Sequence, residues 1–218
     1  MKIPIQYVDA VQALAVVQSG HRVFVHGSSQ TPTTLLKALR EHAPRLKDVE
    51  LVFVSVYGDM FVDKPEYAEA FKLNSLFVSA SIREAVNEGR ADYVPVFLSE
   101  IPNLFTQNIL PIDVALVQVS PPDQHGYCSL GVSVDIARSA VNTAKYVIAQ
   151  VNPHVPRTHG DGLIHSSRFS AITYSEDPLY ELDYSSCVTA EELRIGEYVA
   201  GMIEDRSTLQ MGIGGIPD

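Results

Sequence analysis

The sequence lacks the features that mark disulfide-rich, nucleic-acid-binding and membrane-spanning proteins. Among its 218 residues are only two cysteines, Cys128 and Cys187, which are too few and too far apart for a disulfide framework or a zinc motif. Lysine and arginine form no run, and the formal net charge of −10 disfavours nucleic-acid binding. No stretch approaches the roughly 18 consecutive apolar residues that span a membrane, and the amino terminus has no signal-peptide core. We therefore expect a soluble protein in a reducing cytoplasm.

Apolar segments of strand length alternate with helical patterns, in a chain of 46% hydrophobic and 19% charged residues that is typical of a folded enzyme. The predicted strands are 22–26, 49–56, 72–79, 93–98, 114–119 and 146–151, and the predicted helices are 9–18, 33–40, 82–89, 101–106 and 190–203. This alternation favours an α/β fold, with a mainly parallel sheet flanked by helices, over residues 1–186. Pro95 favours an edge position or a bulge for the fourth of these strands. Such sheets bind ligands at the carboxyl ends of their strands.

The last eleven residues, Thr208 to Asp218, form the most informative stretch of the chain. Gly212, Gly214 and Gly215 lie within four positions and are followed by a Pro-Asp pair. Glycine allows close approach of the backbone to a ligand, and proline is well placed at the first position of a helix. A loop leading into a helix start suits an anion or an oxyanion, because free N–H groups and the positive end of the helix dipole point at it.

This ending also matches an earlier part of the chain. With an offset of 185, residues 208–217 align with residues 23–32, strand on strand and loop on loop, although only two residues of the loop are identical. The agreement favours a second, similar α/β unit. Residues 187–218 would then be a linker helix, a first strand at Thr208–Gln210 and the glycine loop of that unit. Since the chain stops where the next helix should begin, we expect it to be a fragment.

Three further loops follow apolar strands and carry polar side chains. They are 27–31, 120–131 and 151–162. The first suits an anion or carboxylate at the start of a helix, or is a plain N-cap and turn. The second is also explained as a rigid turn that leads into a strand from Tyr127, and the third could contact an anion through Arg157 or its own amides. Because ordered loops on a rigid scaffold often bind ligands, we regard them as candidate walls of a substrate pocket. The candidate residues are Ser28, Ser29, Gln30, Thr31, Gln124, His125, Gly126, Asn152 and Arg157.

Two other chemistries are disfavoured. The third loop and its surroundings contain metal-binding residue types, but their spacing fits no compact zinc pattern and we predict no metal site. These residues are His154, His159, Asp161 and His165. His125 and Cys128 could be a base and a nucleophile, yet such pairs usually meet across a fold rather than three residues apart in one loop.

With these residues in view, the chain resembles the amino-terminal half of the acetyl-CoA hydrolase/transferase family of class I CoA-transferases. The segments that carry the resemblance are 23–32, 112–135, 152–158 and 209–217. The stretch from Ser120 to Asp135 is the longest and most specific of them. The resemblance covers essentially the whole chain and implies two similar α/β domains, in a fold also found in sugar-phosphate isomerases.

The resemblance also implies a mechanism. A glutamate of the family attacks an acyl-CoA thioester, and the resulting anhydride gives a glutamyl-CoA intermediate that a short-chain carboxylic acid resolves. Acetate, butyrate and 4-hydroxybutyrate are the expected acids, CoA thioesters are substrates rather than permanently bound cofactors, and a homo-oligomer is expected. The residues expected to hold CoA and face the oxyanion are Gly212, Ile213, Gly214, Gly215 and Ile216.

The chain departs from the family in one respect: the nucleophilic glutamate is expected beyond Asp218. Glu100 and Glu176 are better interpreted as surface charges. We therefore expect no catalytic residue in this chain and no activity from the chain alone. Hydrolysis of the glutamyl-CoA intermediate by water is an open alternative, and a non-catalytic ligand-sensing domain is another. A separate subunit of a two-chain transferase is disfavoured, because the chain runs beyond a natural boundary near 175–187.

Overall fold

The computed structural model describes residues 6–58, 64–182, 188–212 and 216–217, and the chain forms two compact units, 1–180 and 181–218. The strands are β1 (Arg22–Val25), β2 (Val49–Phe53), β3 (Phe71–Ser75), β4 (Ala91–Tyr93), β5 (Val114–Val119), β6 (Tyr127–Ser129), β7 (Tyr146–Val151), β8 (Leu163–His165) and β9 (Ala171–Tyr174). The α-helices are α1 (Ala10–Ala13), α2 (Thr33–His42), α3 (Arg83–Asn87), α4 (Ile101–Thr106), α5 (Ala137–Thr143) and α6 (Ala190–Ala200). Only α6 belongs to the second unit.

Seven strands of the first unit form one sheet in the order β4-β3-β2-β1-β5-β7-β9. Every neighbouring pair in this sheet is parallel, which confirms the predicted α/β fold. The chain builds outward from β1 to β4 and then returns to the other side of β1 for β5, β7 and β9. The strand order therefore reverses between β1 and β5, and open sheets of this type bind ligands at such a switch point.

Both faces of the sheet are covered by helices, because side chains alternate along each strand. Val23 and Val25 of β1 belong to one core cluster, together with Leu35 and Leu39 of α2. Phe24 lies in the other cluster, which includes residues of α4 and α5. The continuous apolar strands of the sequence are thus explained by burial on two sides.

The helix predicted from residue 9 begins as its sequence indicates. Asp9 is the N-cap, and its Oδ1 accepts hydrogen bonds from the backbone N–H groups of Val11 (2.8 Å) and Gln12 (3.4 Å). The α-helix ends at Ala13 and continues as a short 3₁₀-helix to Val16, so it is shorter than predicted.

Two predicted strands are not found where they were expected. The strand predicted at 93–98 is instead Ala91–Tyr93, because its partner β3 ends at Ser75 and leaves nothing to pair with beyond that point. Its place at the edge of the sheet is one of the two alternatives that Pro95 favoured. Thr208–Gln210 has no regular structure. A strand needs a neighbouring strand to pair with, and none of the described residues of the second unit lies in a strand.

Two strands, β8 and β9, were missed in the sequence. β9 is the other edge of the main sheet, where Val8 N–H donates to the carbonyl of Ile172 at 2.9 Å. β6 was expected from Tyr127, as the strand that follows a rigid turn, but its antiparallel partner β8 was not predicted. Strands of three or four residues carry too few side chains to show a period, which explains why they escaped notice.

Candidate functional site

A buried amide network lies at the carboxyl ends of β5 and β7, beside the switch point. Gln118 and Gln150 are paired in register on these two strands. The Gln118 Oε1 accepts from Gln150 Nε2 at 2.8 Å and from Asn152 Nδ2 at 3.0 Å. All three residues are at most 2% exposed. The network therefore fixes Asn152, one of the predicted pocket residues, inside the protein.

His26, directly after β1, ties two loops to this network. Its Nδ1 accepts from the backbone N–H of Gln118 at 3.3 Å, so the proton lies on Nε2, which is 2.6 Å from the carbonyl oxygen of Ser133 and donates to it. Burial lowers the pKa of the His26 ring, against smaller opposing effects of the Ser133 carbonyl and Asp135. His26 is therefore a neutral structural residue that holds the loop after β6 over the switch point.

The loop after β1 is packed backbone against backbone on the end of β2. A Cβ atom at Gly27 would collide with the carbonyl oxygen of Ser55, which also accepts from the N–H of Ser28 at 2.6 Å. Ser28 has a φ of 54°, in the left-handed region that few non-glycine residues adopt. Thr31 completes the turn, since its hydroxyl donates to the Ser28 carbonyl at 2.7 Å. This loop is a rigid, ordered element.

Residues 175–180, here called the strap, pass over these loops after β9. Ser29 Oγ donates to the carbonyl of Tyr180 at 2.8 Å, and Asn152 Nδ2 donates to the carbonyl of Asp177 at 2.8 Å. The ring of Tyr180 lies edge-on to that of Tyr57, with centroids 6.4 Å apart. The strap thus connects the ends of β1, β2 and β7.

Asp177 of the strap supplies a carboxylate to the start of α2. Its Oδ2 accepts from the hydroxyls of Thr33 at 2.9 Å and Thr34 at 2.8 Å. Partial burial alone would raise the pKa of Asp177, but hydroxyl bonds, those of Thr34 and Thr33 first, outweigh it and hold the pKa below its usual value. The anion predicted at this helix start is therefore provided by the chain itself.

Replacing Asp177 with alanine is expected to lower the free energy of unfolding by about 1 to 2 kcal/mol, because the hydroxyls of Thr33 and Thr34 lose a charged, partly buried acceptor. Because the folded pKa of Asp177 lies below the unfolded one, its contribution is present above about pH 4 and is lost as the pH falls through the folded value. Urea unfolding at several pH values measures both effects. Glu176→Ala, which removes an exposed neighbour, is the control and should change stability by less than about 0.5 kcal/mol.

Four predicted pocket residues belong to a different group, which is organised by Asp123. Asp123 Oδ1 accepts from the backbone N–H groups of His125 and Tyr127, each at 2.9 Å. Arg157 Nη2 forms an ion pair with Asp123 Oδ2 at 2.7 Å and is therefore already engaged. The amides of Tyr127 and His125, in that order, hold the pKa of Asp123 below its usual value. The side chains of Gln124, His125 and Tyr127 are exposed at this turn.

The geometry supports neither a nucleophile–base pair of Cys128 and His125 nor a metal site. Burial raises the pKa of Cys128 to about 12, so its thiol is not an activated nucleophile. His165 contacts the carbonyl oxygen of His125 through Nε2 at 3.1 Å and the hydroxyl of Ser167 through Nδ1 at 2.8 Å. Within the ranges that the structure describes, no three His, Cys, Asp or Glu side chains gather as metal ligands.

The predicted CoA and oxyanion loop cannot be compared with the structure, because Ile213, Gly214 and Gly215 lie outside the described residues. Gly212 and Ile216 on either side are exposed. Glu100 and Glu176 are exposed as well, as expected of surface charges. The role of the glycine loop therefore stays a prediction.

Several residues of this site were missed in the sequence. They are His26, Gln118, Gln150, Asp123 and Asp177. One signal was available: the apolar runs VALVQV and YVIAQV each carry a single glutamine at the fifth position, which is unusual in strands buried on both faces. Two such glutamines on neighbouring strands indicate a hydrogen-bonded pair.

Known proteins are similar to this chain over nearly its whole length. It is 43% identical to the 4-hydroxybutyrate coenzyme A transferase of Clostridium kluyveri, covering 97% of this chain and 49% of that protein. It is 40% identical to the succinyl-CoA:acetate/propanoyl-CoA:succinate CoA transferase of Fasciola hepatica, covering 95% of this chain and 43% of that protein. The crystal structure of RipA from Yersinia pestis is 30% identical and superimposes with a TM-score of 0.86, covering 97% of this chain and 52% of RipA.

The chain thus spans about half the length of the relatives that it matches. None of its described helices is long and apolar enough to cross a lipid bilayer. The model of the acetyl-CoA hydrolase/transferase N-terminal domain matches residues 5–187, nearly all of the first unit and the start of the second. The chain belongs to the acetyl-CoA hydrolase/transferase family.

Proposed function

We propose that this chain is the amino-terminal half of a CoA-transferase, which moves CoA between an acyl-CoA and a short-chain carboxylic acid such as acetate, butyrate or 4-hydroxybutyrate. The observation that carries the proposal is the family match over residues 5–187, combined with relatives whose names are those of CoA transferases. The other half of the enzyme would be a second α/β domain, because the chain spans about half of each relative.

The proposed reaction uses a glutamate that this chain does not supply. Its carboxylate attacks the thioester carbonyl and releases the CoA thiolate, which gives an acyl-glutamyl anhydride. The thiolate then attacks the glutamyl carbonyl, releasing the acid and leaving glutamyl-CoA, and an acceptor acid reverses the sequence. Gly212 to Ile216 are proposed to hold CoA and to stabilise the tetrahedral oxyanions through backbone N–H groups.

The first unit would contribute a rigid wall to the substrate pocket. The proposed wall residues are Ser28, Ser29, Gln30 and Thr31 after β1, with Asn152 beyond β7. Gln124, His125, Gly126 and Arg157 are proposed as a second contact region around Asp123. We further propose action in the cytoplasm as a homo-oligomer, with CoA thioesters as substrates and no permanently bound cofactor.

Hydrolysis is the second candidate, because the description of the matched family names a hydrolase as well as a transferase. In that reaction water would resolve the glutamyl-CoA intermediate in place of an acid. The two activities differ in one measurable product: hydrolysis releases free CoA without an acceptor, whereas transfer produces a new acyl-CoA.

The proposal is tested with two proteins, the 218-residue chain alone and a hybrid in which the remaining half of the Clostridium kluyveri relative follows residue 218. Acetyl-CoA is supplied with butyrate or 4-hydroxybutyrate, and new acyl-CoA and free CoA are quantified by chromatography. We expect the chain alone to be inactive and the folded hybrid to transfer CoA.

Each outcome has a definite meaning once cooperative unfolding shows that the hybrid is folded. A folded hybrid that neither transfers CoA nor releases it would reject the proposed function. Free CoA release that does not depend on the acid would favour the hydrolase. Transfer by the chain alone would contradict the placement of the nucleophile outside it.

A further inference from the structure

Gln30 is a buried residue whose side chain has no hydrogen-bond partner among the described residues. It lies in the loop after β1 and is 0% exposed. Neither its Oε1 nor its Nε2 is hydrogen-bonded to any part of the chain that the structure describes, whereas its backbone N–H donates to the Gly27 carbonyl at 3.1 Å. The loop is therefore well ordered around an unsatisfied amide.

An unsatisfied buried amide is not explained by packing. A buried donor or acceptor without a partner destabilises a protein, whereas an apolar side chain of the same shape does not. Gln118 and Gln150, in the same sheet, are just as buried, yet each has partners for its side-chain amide. Groups that lower stability in this way are concentrated at functional sites.

The position of Gln30 points to ligand binding. It follows the central strand β1 at its carboxyl end, on the edge where open α/β sheets take their ligands. The backbone of Gly131 lies against its amide, since a Cβ there would be 2.7 Å from both Cδ and Nε2 and 2.8 Å from Oε1. Any side chain at residue 131 would displace the amide of Gln30. The glycine at this position therefore leaves space for that amide.

The chemistry of the two atoms identifies the class of ligand. Nε2 donates and Oε1 accepts, so a carboxylate, which only accepts, would satisfy one atom and repel the other. A ligand chain that contains secondary amides offers both a carbonyl oxygen that accepts from Nε2 and an N–H that donates to Oε1. We propose that Gln30 binds the pantetheine arm of CoA through its amides, an inference that rests on the proposed function.

Access requires a local movement, because Gln30 has no exposed surface. The end of the strap is the neighbouring part that would move: Tyr180 is held by one hydrogen bond, from Ser29 to its carbonyl, and by its ring contact with Tyr57. Exchange of that bond for contacts with the ligand would move the end of the strap and leave the loop after β1 and the sheet in place.

The test is a titration of the ¹⁵N-labelled 218-residue protein with pantetheine, followed by NMR of the glutamine side-chain amides. The signal of Gln30 is identified by its absence in Gln30→Met, and that of Gln150 by its absence in Gln150→Met. We expect the Gln30 signal to shift saturably with pantetheine and to stay in place with adenosine 3′,5′-bisphosphate or acetate. Gln30→Met should weaken pantetheine binding about tenfold or more.

Thermal unfolding separates this role from a structural one. Gln30→Met should keep or raise the midpoint, because it removes two unsatisfied atoms. Gln150→Met, the matched control, should lower the midpoint by about 5 °C, because it leaves the Leu35 N–H without a partner.

A Gln30 signal that pantetheine does not move, or a Gln30→Met variant that binds it as well as the wild type, overturns the inference. A destabilised Gln30→Met also overturns it, since the amide would then be structural. The transfer assay of the hybrid is independent of these results. Transfer together with an unmoved Gln30 signal rejects the inference alone, whereas a folded hybrid that neither transfers nor releases CoA rejects the proposed function.

Discussion

Replacing His26 with alanine is expected to lower the free energy of unfolding by about 3 to 5 kcal/mol at neutral pH. The ring is fully buried, and its removal leaves the Gln118 N–H and the Ser133 carbonyl without their partner. A cavity in the core adds to the loss. Urea unfolding monitored by circular dichroism measures the change. His125→Ala, which removes an exposed ring, is the control and should stay within about 0.5 kcal/mol of the wild type.

The effect of His26 should depend on pH in a defined direction. Burial lowers its pKa in the folded protein, whereas in the unfolded chain the pKa returns to about 6.5. As the pH falls below 6.5, the unfolded state binds a proton that the folded state does not, so the wild type loses up to about 1.4 kcal/mol per pH unit from this group. The alanine variant lacks this term, and the difference between the two proteins should shrink. A difference that is constant from pH 7 to pH 5 would contradict the assignment of a neutral ring.

Gly27→Ala is expected to lower the free energy of unfolding by about 2 to 3 kcal/mol, because a methyl group there would overlap the Ser55 carbonyl oxygen. Backbone atoms cannot rotate away as a side chain does. The shift needed would also break the 2.6 Å bond between the Ser28 N–H and that oxygen. The loop after β1 would move away from the end of β2, and binding at this edge should weaken together with stability. Urea unfolding gives the first effect and the pantetheine titration the second.

Gly20→Ala is the control that separates the effect of this steric overlap on stability from the effect of backbone strain. Gly20 has a φ of 77°, but nothing in the described part of the chain lies within 4 Å of a Cβ placed there. Alanine at this position carries the conformational cost alone, roughly 1 kcal/mol. If Gly20→Ala destabilised the protein as much as Gly27→Ala, the overlap with Ser55 would not be the cause.

The pattern of apolar runs was sufficient to predict most of the first unit. Strands such as β5 and β7 are buried on both faces, so nearly every residue in them is apolar and the runs stand out from the polar helices between them. Asp9 predicted its helix start because a cap acts within three residues of itself. The short edge strands β4 and β9 were misplaced or missed, because their limits depend on which neighbour they pair with.

The candidate site was predictable only in outline. The sequence placed Gln30, Asn152 and Arg157 on loops after strands, but the partners of their side chains come from distant parts of the chain. Arg157, expected as a free anion contact, is paired with Asp123, 34 residues away. The similarity to a known family supports the proposed chemistry, yet the glycine loop that is proposed to take part in it lies largely outside the described residues.

By itself, the sequence determined the α/β class, the parallel sheet and the edge at which ligands are expected, because all three depend on local patterns of burial along the chain. Only the tertiary structure decided which polar groups at that edge are already satisfied. Asp177 accepts a hydrogen bond from the hydroxyl of Thr33 across 144 residues, while the side chain of Gln30 has no partner among the described residues. Hydrogen bonds of this range require atoms within about 3 Å of each other, and no sequence spacing sets that distance before the sheet has formed.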